Sequence, residues 1–212
     1  MNKRMLWLAL AFSWGSVVAA EPRNLTLLKE EIVAYVDAGS YDEGLGVVAR
    51  EAEAWVEQRA KQGGKLAMVF DIDETMISNV PHMRAQDFGY QSPVWDAWVA
   101  RGEGPVIKPV REVYRVARKL GVAVIFITGR REKDRAGTEK NLKLAEVADY
   151  AALVMRSEDA TGSTEVFKTA ARRKLTTDGF VIIANIGDQE SDLSGGFSER
   201  TFKLPNPFYQ IK

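Results

Sequence analysis

The chain of 212 residues contains no cysteine and a single histidine, His82. Without thiols it can form neither disulfides nor a cysteine nucleophile, so its stability must come from packing. One histidine also excludes a polyhistidine zinc site and phosphoryl transfer between paired histidines. A Gly-x-Ser-x-Gly elbow, typical of many serine hydrolases, is missing as well. Carboxylates therefore remain as the abundant reactive groups.

The chain also lacks an uninterrupted apolar run long enough to span a membrane. Two basic residues precede an apolar stretch from Met5 to Trp14, and small residues follow. This pattern predicts a secretory signal peptide over residues 1–20, so that the mature chain begins at Glu21. A spanning helix needs about 20 apolar residues, and Ser13 and Gly15 interrupt this stretch; an uncleaved anchor is the alternative. We expect a periplasmic or secreted protein without a stable membrane anchor after cleavage.

Neither sign of charge is in excess, since 29 Lys and Arg stand against 29 Asp and Glu. The predicted leader carries two of the cations and no acid, so the mature chain is slightly acidic. Such a balance offers no basic surface for a polyanion, and we expect no nucleic-acid polymer as a partner. A chain of about 190 residues is long enough for one domain with one core, and a homo-oligomer is compatible with it.

The first part of the mature chain has helical periodicity. From Leu25 to about Lys61 apolar residues recur at helical spacing, and Gly39 with Ser40 interrupts the pattern. We predict two amphipathic helices in a segment over residues 21–64 that packs on the main body.

Beyond residue 64, short apolar runs alternate with amphipathic stretches, which is typical of a parallel sheet covered by helices on both faces. The predicted strands are Leu66–Phe70, Val122–Ile127, Ala152–Met155 and Phe180–Ile186. The predicted helices lie near Val110–Leu120, Asp134–Val147 and Thr164–Leu175. Residues 76–105 interrupt the alternation and are interpreted as a small cap insertion. Within it, Ser92 and Pro93 are the predicted N-cap and first residue of a short helix. The expected fold is α/β, with a Rossmann-like core over residues 65–212.

Acidic residues follow two of the predicted strands. Asp71 and Asp73 come after the first strand, and Asp188 and Asp192 come after the fourth. The carboxyl ends of parallel strands meet at one edge of the sheet, where ligands bind. Two unit charges about 4 Å apart repel by about 4 kcal/mol at an effective dielectric constant near 20, so a cation is needed. With oxygen ligands only, Mg²⁺ is the best candidate, and a metal with an incomplete protein shell favours a phosphoryl substrate.

Four segments resemble, in chain order, the motifs of the haloacid dehalogenase (HAD) superfamily of phosphotransferases. They are DIDET from Asp71, ITGR from Ile127, FK at Phe167, and GDQESD from Gly187. The longer strings FDIDETMISNVP, DAWVARGEGPVIKP and RTFKLPNPFYQI are similar to subfamily IIIB, the plant vegetative storage acid phosphatases and their bacterial class B relatives. The resemblance covers the chain from about Asn24 to its C-terminus. It implies a Rossmann-like HAD fold and an acid phosphatase, a hydrolase of small phosphate monoesters that requires Mg²⁺.

The resemblance also implies a role for each motif residue. Asp71 would be the nucleophile that forms an aspartyl-phosphate, and Asp73 would be the general acid and then the general base. Phosphoryl oxygens would be bound by Thr128, the Gly129 amide and Lys168. Mg²⁺ would be held by Asp71, the backbone carbonyl of Asp73, and Asp188. Asp192 would not bind the metal directly but would contact a water bound to the metal, or Lys168.

Several of these residues have a structural alternative. Thr128 and Gly129 could form a turn, Lys168 could lie on a solvated helix face, and Asp192 could be a helix N-terminal charge.

For Arg130 and Arg131, surface ion pairs with Glu132 or Asp134 are at least as well supported as substrate contacts. His82 is interpreted as a packing residue and is left out of the site.

Two other functions remain as alternatives. A storage or binding protein could keep the fold and lose the activity. A phosphoacceptor receiver domain would share the carboxylate cluster and Mg²⁺, but it would work in the cytosol without an export signal.

Overall fold

The computed structural model of the protein describes residues 21–211, so the predicted signal peptide lies outside the described residues. Within that range, none of the helices combines the length and the apolar character needed to cross a bilayer.

A five-stranded parallel sheet in the order β3-β2-β1-β4-β5 forms the centre of the fold, and the predicted α/β class is confirmed. The strands are β1 (Leu66–Phe70), β2 (Ala123–Arg131), β3 (Ala152–Arg156), β4 (Val181–Gly187) and β5 (Thr201–Lys203). Four of them were predicted, and β5 was not, because three residues are too few for a periodic pattern. Phe70 pairs with Phe126 of β2 and with Ile186 of β4, so β1 and β4 end side by side, whereas β2 continues to Arg131.

Helices cover both faces of the sheet. They are α1 (Leu25–Asp37), α2 (Ser40–Ala60), α3 (Val80–Ala85), α4 (Ser92–Arg101), α5 (Lys108–Lys119), α6 (Arg135–Leu144), α7 (Thr164–Thr177) and α8 (Glu190–Leu193). Side chains alternate along β1, as the period of a strand requires. Met68 and Phe70 belong to the larger apolar core with α2 and α5, whereas Ala67 and Val69 belong to a smaller core that includes Leu175 of α7.

The predicted N-terminal helices form as α1 and α2. Leu45 and Val56 of α2 are buried in the larger core, so this helix shares its core with the sheet. Helix α1 has no buried residue.

The predicted insertion leaves the core after β1 and returns before α5. Its two ends lie side by side: the Ser78 amide donates to the Pro105 carbonyl (2.8 Å), and the Ile107 amide donates to the Met76 carbonyl (2.9 Å). Helix α4 forms where it was predicted but begins one residue earlier, with Gln91 as its N-cap and Ser92 as its first residue. The shorter α3 was not predicted. The insertion therefore stands on a paired base at the carboxyl edge of the sheet.

A glycine lets the insertion pack closely on the core. A Cβ atom at Gly137 in α6 would lie 2.2 Å from the Val99 carbonyl oxygen and 2.9 Å from the Ala100 Cα. Both neighbours are backbone atoms of the α4 segment, so they cannot move aside as a side chain can.

We expect Gly137→Ala to lower the free energy of unfolding by about 1–3 kcal/mol, since overpacking outweighs the better helix propensity of alanine. Gly46→Ala in α2 is the matched control, because its added Cβ would approach only the flexible Arg50 side chain, at 3.2 Å. The control should be neutral or up to about 1 kcal/mol more stable. Urea unfolding measures both, and equal stabilities of the two variants would contradict the close-packing explanation.

Candidate active site

Three carboxylates converge at the carboxyl edge of the sheet. Asp71 follows β1 directly, where its amide donates to the Ile186 carbonyl at 3.0 Å, and Asp188 follows β4. One oxygen from each of Asp71, Asp188 and Asp192 lies within 4.8 Å of the other two, and all three residues are buried. The sequence predicted this convergence. Such an all-oxygen donor set fits a hard divalent cation.

Lys168 is buried against this cluster. Its ammonium group donates to Asp71 and, at 2.6 Å, to Asp192 Oδ1. The side chain is only 3% exposed, which excludes the alternative of a solvated helix face. Burial opposes the charge, but Asp71 and Asp192 outweigh it and raise the pKa of Lys168 above its ordinary value. The lysine is therefore a cation held between two acids.

Burial and repulsion act on the acids in the same direction. Burial raises the pKa of Asp71 well above its ordinary value; Lys168 opposes this rise, and Asp192 and Asp188 add to it. Burial and then Asp192 raise the pKa of Asp188 to about 6. Lys168 alone thus leaves the cluster short of positive charge, and a bound cation would supply it.

Asp73 has a different set of partners. Arg130 donates through Nε to Asp73 Oδ2 at 3.0 Å and through Nη2 to Oδ1 at 2.6 Å, and Asn79 Nδ2 donates to Oδ1 at 2.8 Å. Burial raises the pKa of Asp73, but Arg130 and Asn79 lower it below its ordinary value. The pKa values of Asp71 and Asp73 are therefore shifted in opposite directions.

The interpretation of Arg130 as a surface residue paired with Glu132 or Asp134 is wrong. Its side chain is buried and pairs with Asp73, 57 positions earlier. Arg131 behaves as an outer residue and donates to the carbonyls of Ser157 (3.1 Å) and Glu158 (2.5 Å).

Thr128 and Gly129 lie inside β2, which runs to Arg131, so the turn alternative is wrong. A cavity of about 490 Å³ opens beside the carboxylates and is lined by Gly129 together with Asp71, Asp73, Lys168, Asp188 and Asp192. Thr128 is fully buried, and its Oγ1 accepts from the Arg130 amide at 3.2 Å. Of the predicted phosphate-binding residues, Gly129 and Lys168 thus face the cavity, and Thr128 lies behind it.

Aromatic residues of the insertion form one wall of this cavity. His82 stacks on Trp98 with ring centroids 5.4 Å apart and meets Trp95 edge-on at 5.6 Å. Phe88, Tyr90 and Trp95 line the cavity beside it. His82 therefore packs among aromatic rings, in agreement with its interpretation as a packing residue, although it also borders the cavity.

A buried glutamate that the motifs did not indicate as a site residue, Glu74, lies next to the site. Glu74 has a positive φ of 51° and accepts hydrogen bonds from the backbone and side-chain amides of Asn79 and from the Tyr209 hydroxyl (2.8 Å). Burial, and then the charge of Asp73, raise its pKa to about 8. The sequence signal for Glu74 was its position next to the predicted site acids Asp71 and Asp73. Its partner Tyr209 is distant in the chain and gives no local signal.

Comparisons with known proteins agree with the motifs. The model of the family described as HAD superfamily, subfamily IIIB (acid phosphatase) matches residues 9–212. The Glycine max stem 28 kDa glycoprotein is 39% identical over 155 residues, which are 70% of this chain and 61% of the relative. Acid phosphatase 1 of Solanum lycopersicum is 38% identical over 153 residues, 70% of this chain and 60% of the relative. The chain thus spans about three fifths of each relative.

A solved structure shares the fold. The class C acid phosphatase from Bacillus anthracis superposes with a TM-score of 0.72 at 21% identity, covering 88% of this chain and 87% of that one.

We expect the raised pKa of Glu74 to make the unfolding free energy depend on pH. The unfolded chain releases this proton near pH 4.5 and the folded chain near pH 8, so the stability that Glu74 contributes is fully present below about pH 4.5 and is lost as the pH rises to about 8. The loss is on the order of a few kcal/mol. Glu74→Gln, which mimics the protonated form, should flatten the stability curve over this range.

Urea unfolding in EDTA from pH 5 to pH 8.5 measures this slope. Glu57→Gln on α2, an exposed position, is the matched control and should keep the wild-type slope. If Glu74→Gln keeps the wild-type dependence of stability on pH, the raised pKa of Glu74 is contradicted.

Proposed function

The chain belongs to subfamily IIIB of the HAD superfamily, the acid phosphatases, and from this premise we propose that it is an exported, Mg²⁺-dependent hydrolase of small phosphate monoesters. The observation that carries the proposal is the buried cluster of Asp71, Asp188 and Asp192 with Lys168, open to a cavity at the sheet edge. Export rests on the signal pattern of residues 1–20.

Asp71 is the proposed nucleophile. A carboxylate oxygen of Asp71 attacks phosphorus, the bond from phosphorus to the leaving oxygen breaks, and an aspartyl-phosphate forms. Lys168 holds the Asp71 side chain in place and offsets the charge that spreads over the phosphoryl oxygens. Mg²⁺, held by Asp71, Asp188 and the Asp73 carbonyl, would supply further positive charge beside those oxygens.

Asp73 is the proposed acid and base. In the first half-reaction its proton passes to the leaving oxygen. In the second, water attacks phosphorus, gives a proton to Asp73, and releases Asp71. Arg130 and Asn79 fix the carboxyl group for both steps. Arg130 lowers the pKa of Asp73. The protonated form that begins the reaction therefore requires acid solution.

A storage or binding protein on the same fold remains the alternative. Loss of activity would require a damaged site, whereas Asp71, Lys168, Asp188 and Asp192 are all in place. No contact of the described residues favours the alternative, and the hydrolysis assay below distinguishes the two functions.

We expect the mature chain to hydrolyse p-nitrophenyl phosphate and Asp71→Asn to lose activity by about 10³-fold or more, because an amide is a poor nucleophile. EDTA should abolish the wild-type rate, and excess Mg²⁺ should restore it. Asp178→Asn, the same change at the exposed C-terminal end of α7, should keep the wild-type rate. Full activity in Asp71→Asn, or turnover in EDTA, would refute the mechanism.

We expect Asp73→Asn to affect the two half-reactions differently. p-Nitrophenolate leaves without protonation, so the first step should persist while activation of water for the second fails. Rapid mixing should then show a burst of about one p-nitrophenol per site, with phosphate retained on the protein after acid quenching. An alkyl phosphate, whose leaving group needs the proton, should give no burst. A uniform slowing with both substrates and no trapped phosphate would contradict the double role.

A further inference from the structure

The residues that follow β5 cross the carboxyl edge of the sheet and border the cavity. We call residues 205–211 the C-terminal strap. Phe208, Tyr209, Gln210 and Ile211 of the strap line the cavity together with the predicted site acids. None of them belongs to the four motifs that indicated the site.

The strap is attached to the site at several points. Tyr209 donates its hydroxyl to Glu74, and the Ile211 amide donates to Gln189 Oε1 at 2.9 Å. The Phe208 ring lies 5.1 Å from the Tyr41 ring of α2 and 6.3 Å from Phe88 of the insertion. The strap is thus tied to the core, to the insertion and to the loop that carries Asp188.

Asn206 makes the contact with the greatest chemical consequence. Its Nδ2 donates to Asp188 Oδ2 at 2.6 Å, and Gln189 Nε2 donates to the same oxygen, also at 2.6 Å. A carboxylate oxygen has two lone pairs, so these two amides saturate Oδ2. Among residues 21–211, the other oxygen, Oδ1, accepts a hydrogen bond only from the Thr75 hydroxyl, at 3.3 Å, and keeps capacity for a cation.

The charge of the hydrogen-bond donor affects how well a carboxylate can bind a cation. Arg130 both orients Asp73 and neutralises it, which would weaken a carboxylate as a ligand for a cation. Asn206 and Gln189 are neutral amides, so they fix the orientation of Asp188 and leave its charge for an ion. Hydrogen-bond partners of this type commonly tune metal affinity.

Asn206 is itself held in position. Its Oδ1 accepts hydrogen bonds from the amides of Phe208 (2.8 Å) and Tyr209 (3.3 Å), which close a turn at the asparagine. Pro205 and Pro207 flank it, and Pro207 restricts the backbone of Asn206 to extended conformations. The amide therefore reaches Asp188 from a prearranged turn.

We propose that the C-terminal strap orients Asp188 for binding the divalent ion, with Asn206 as the positioning residue. The inference rests on the proposed function in one respect, namely that Asp188 is an ion ligand. It adds that a segment outside the motifs sets the affinity for the ion.

The test is calorimetric titration of Mg²⁺ into EDTA-stripped protein. Asn206→Ser keeps a side-chain oxygen that can close the turn but is too short to reach Asp188, and we expect its dissociation constant to rise about tenfold or more. Asn24→Ser is the matched control, because Asn24 is an exposed cap of α1 that does not line the cavity and serine is an equally good cap. Its dissociation constant should equal that of the wild type.

Activity gives an independent readout. High Mg²⁺ should restore turnover of p-nitrophenyl phosphate by Asn206→Ser with an unchanged KM for the ester, which general structural damage would not allow. Thermal unfolding of the stripped proteins checks folding, and Asn206→Thr, which suits the position before proline, replaces a serine variant that does not fold. A wild-type dissociation constant in either folded variant overturns the strap proposal. If the wild type binds no Mg²⁺, the proposed function fails and the strap proposal fails with it.

Discussion

Three buried carboxylates, those of Asp71, Asp188 and Asp192, lie within 4.8 Å of one another at the carboxyl edge of the sheet. Two unit charges about 4 Å apart repel by about 4 kcal/mol at an effective dielectric constant near 20, and burial adds a cost of its own to each charge. Lys168 offsets part of it by contacting two of the three. The sheet can support this arrangement because β1 and β4 are neighbours whose ends are held by core packing. The residual negative charge favours a bound cation.

The same edge shows how two acids of one short segment acquire different chemistry. Asp71 contacts a lysine that it shares with Asp192, and Asp73 has an arginine and an asparagine of its own. Their pKa values consequently move apart, upward for Asp71 and downward for Asp73, and a cation bound beside Asp71 would favour its ionised form. The two side chains contact different partners, Lys168 of α7 for Asp71 and Arg130 of β2 with Asn79 of the insertion for Asp73, and these partners distinguish the two acids.

The insertion and the C-terminal strap, which are about 100 residues apart in the chain, both line the cavity. Phe88 of the insertion stacks on Phe208 of the strap, and Tyr209 of the strap donates to Glu74 at the base of the insertion. The wall of the cavity formed by these segments is therefore aromatic, whereas its floor is charged. This division suits a substrate with one anionic end and a less polar remainder.

The sequence by itself determined the strands β1 to β4, the helices that cover them and the acids at the strand ends, because burial imposes periods of two and 3.6 residues on the local pattern. The tertiary structure alone decided that Arg130 pairs with Asp73 across 57 positions, that Tyr209 reaches Glu74 across 135, and that Asn206 reaches Asp188. Such contacts leave no periodic trace, since they depend on where distant segments are brought by the closure of the sheet and the path of the strap. Strand β5, with three residues, is too short to carry a pattern. Local periodicity places the acids at the sheet edge, but long-range packing decides which partner holds each one.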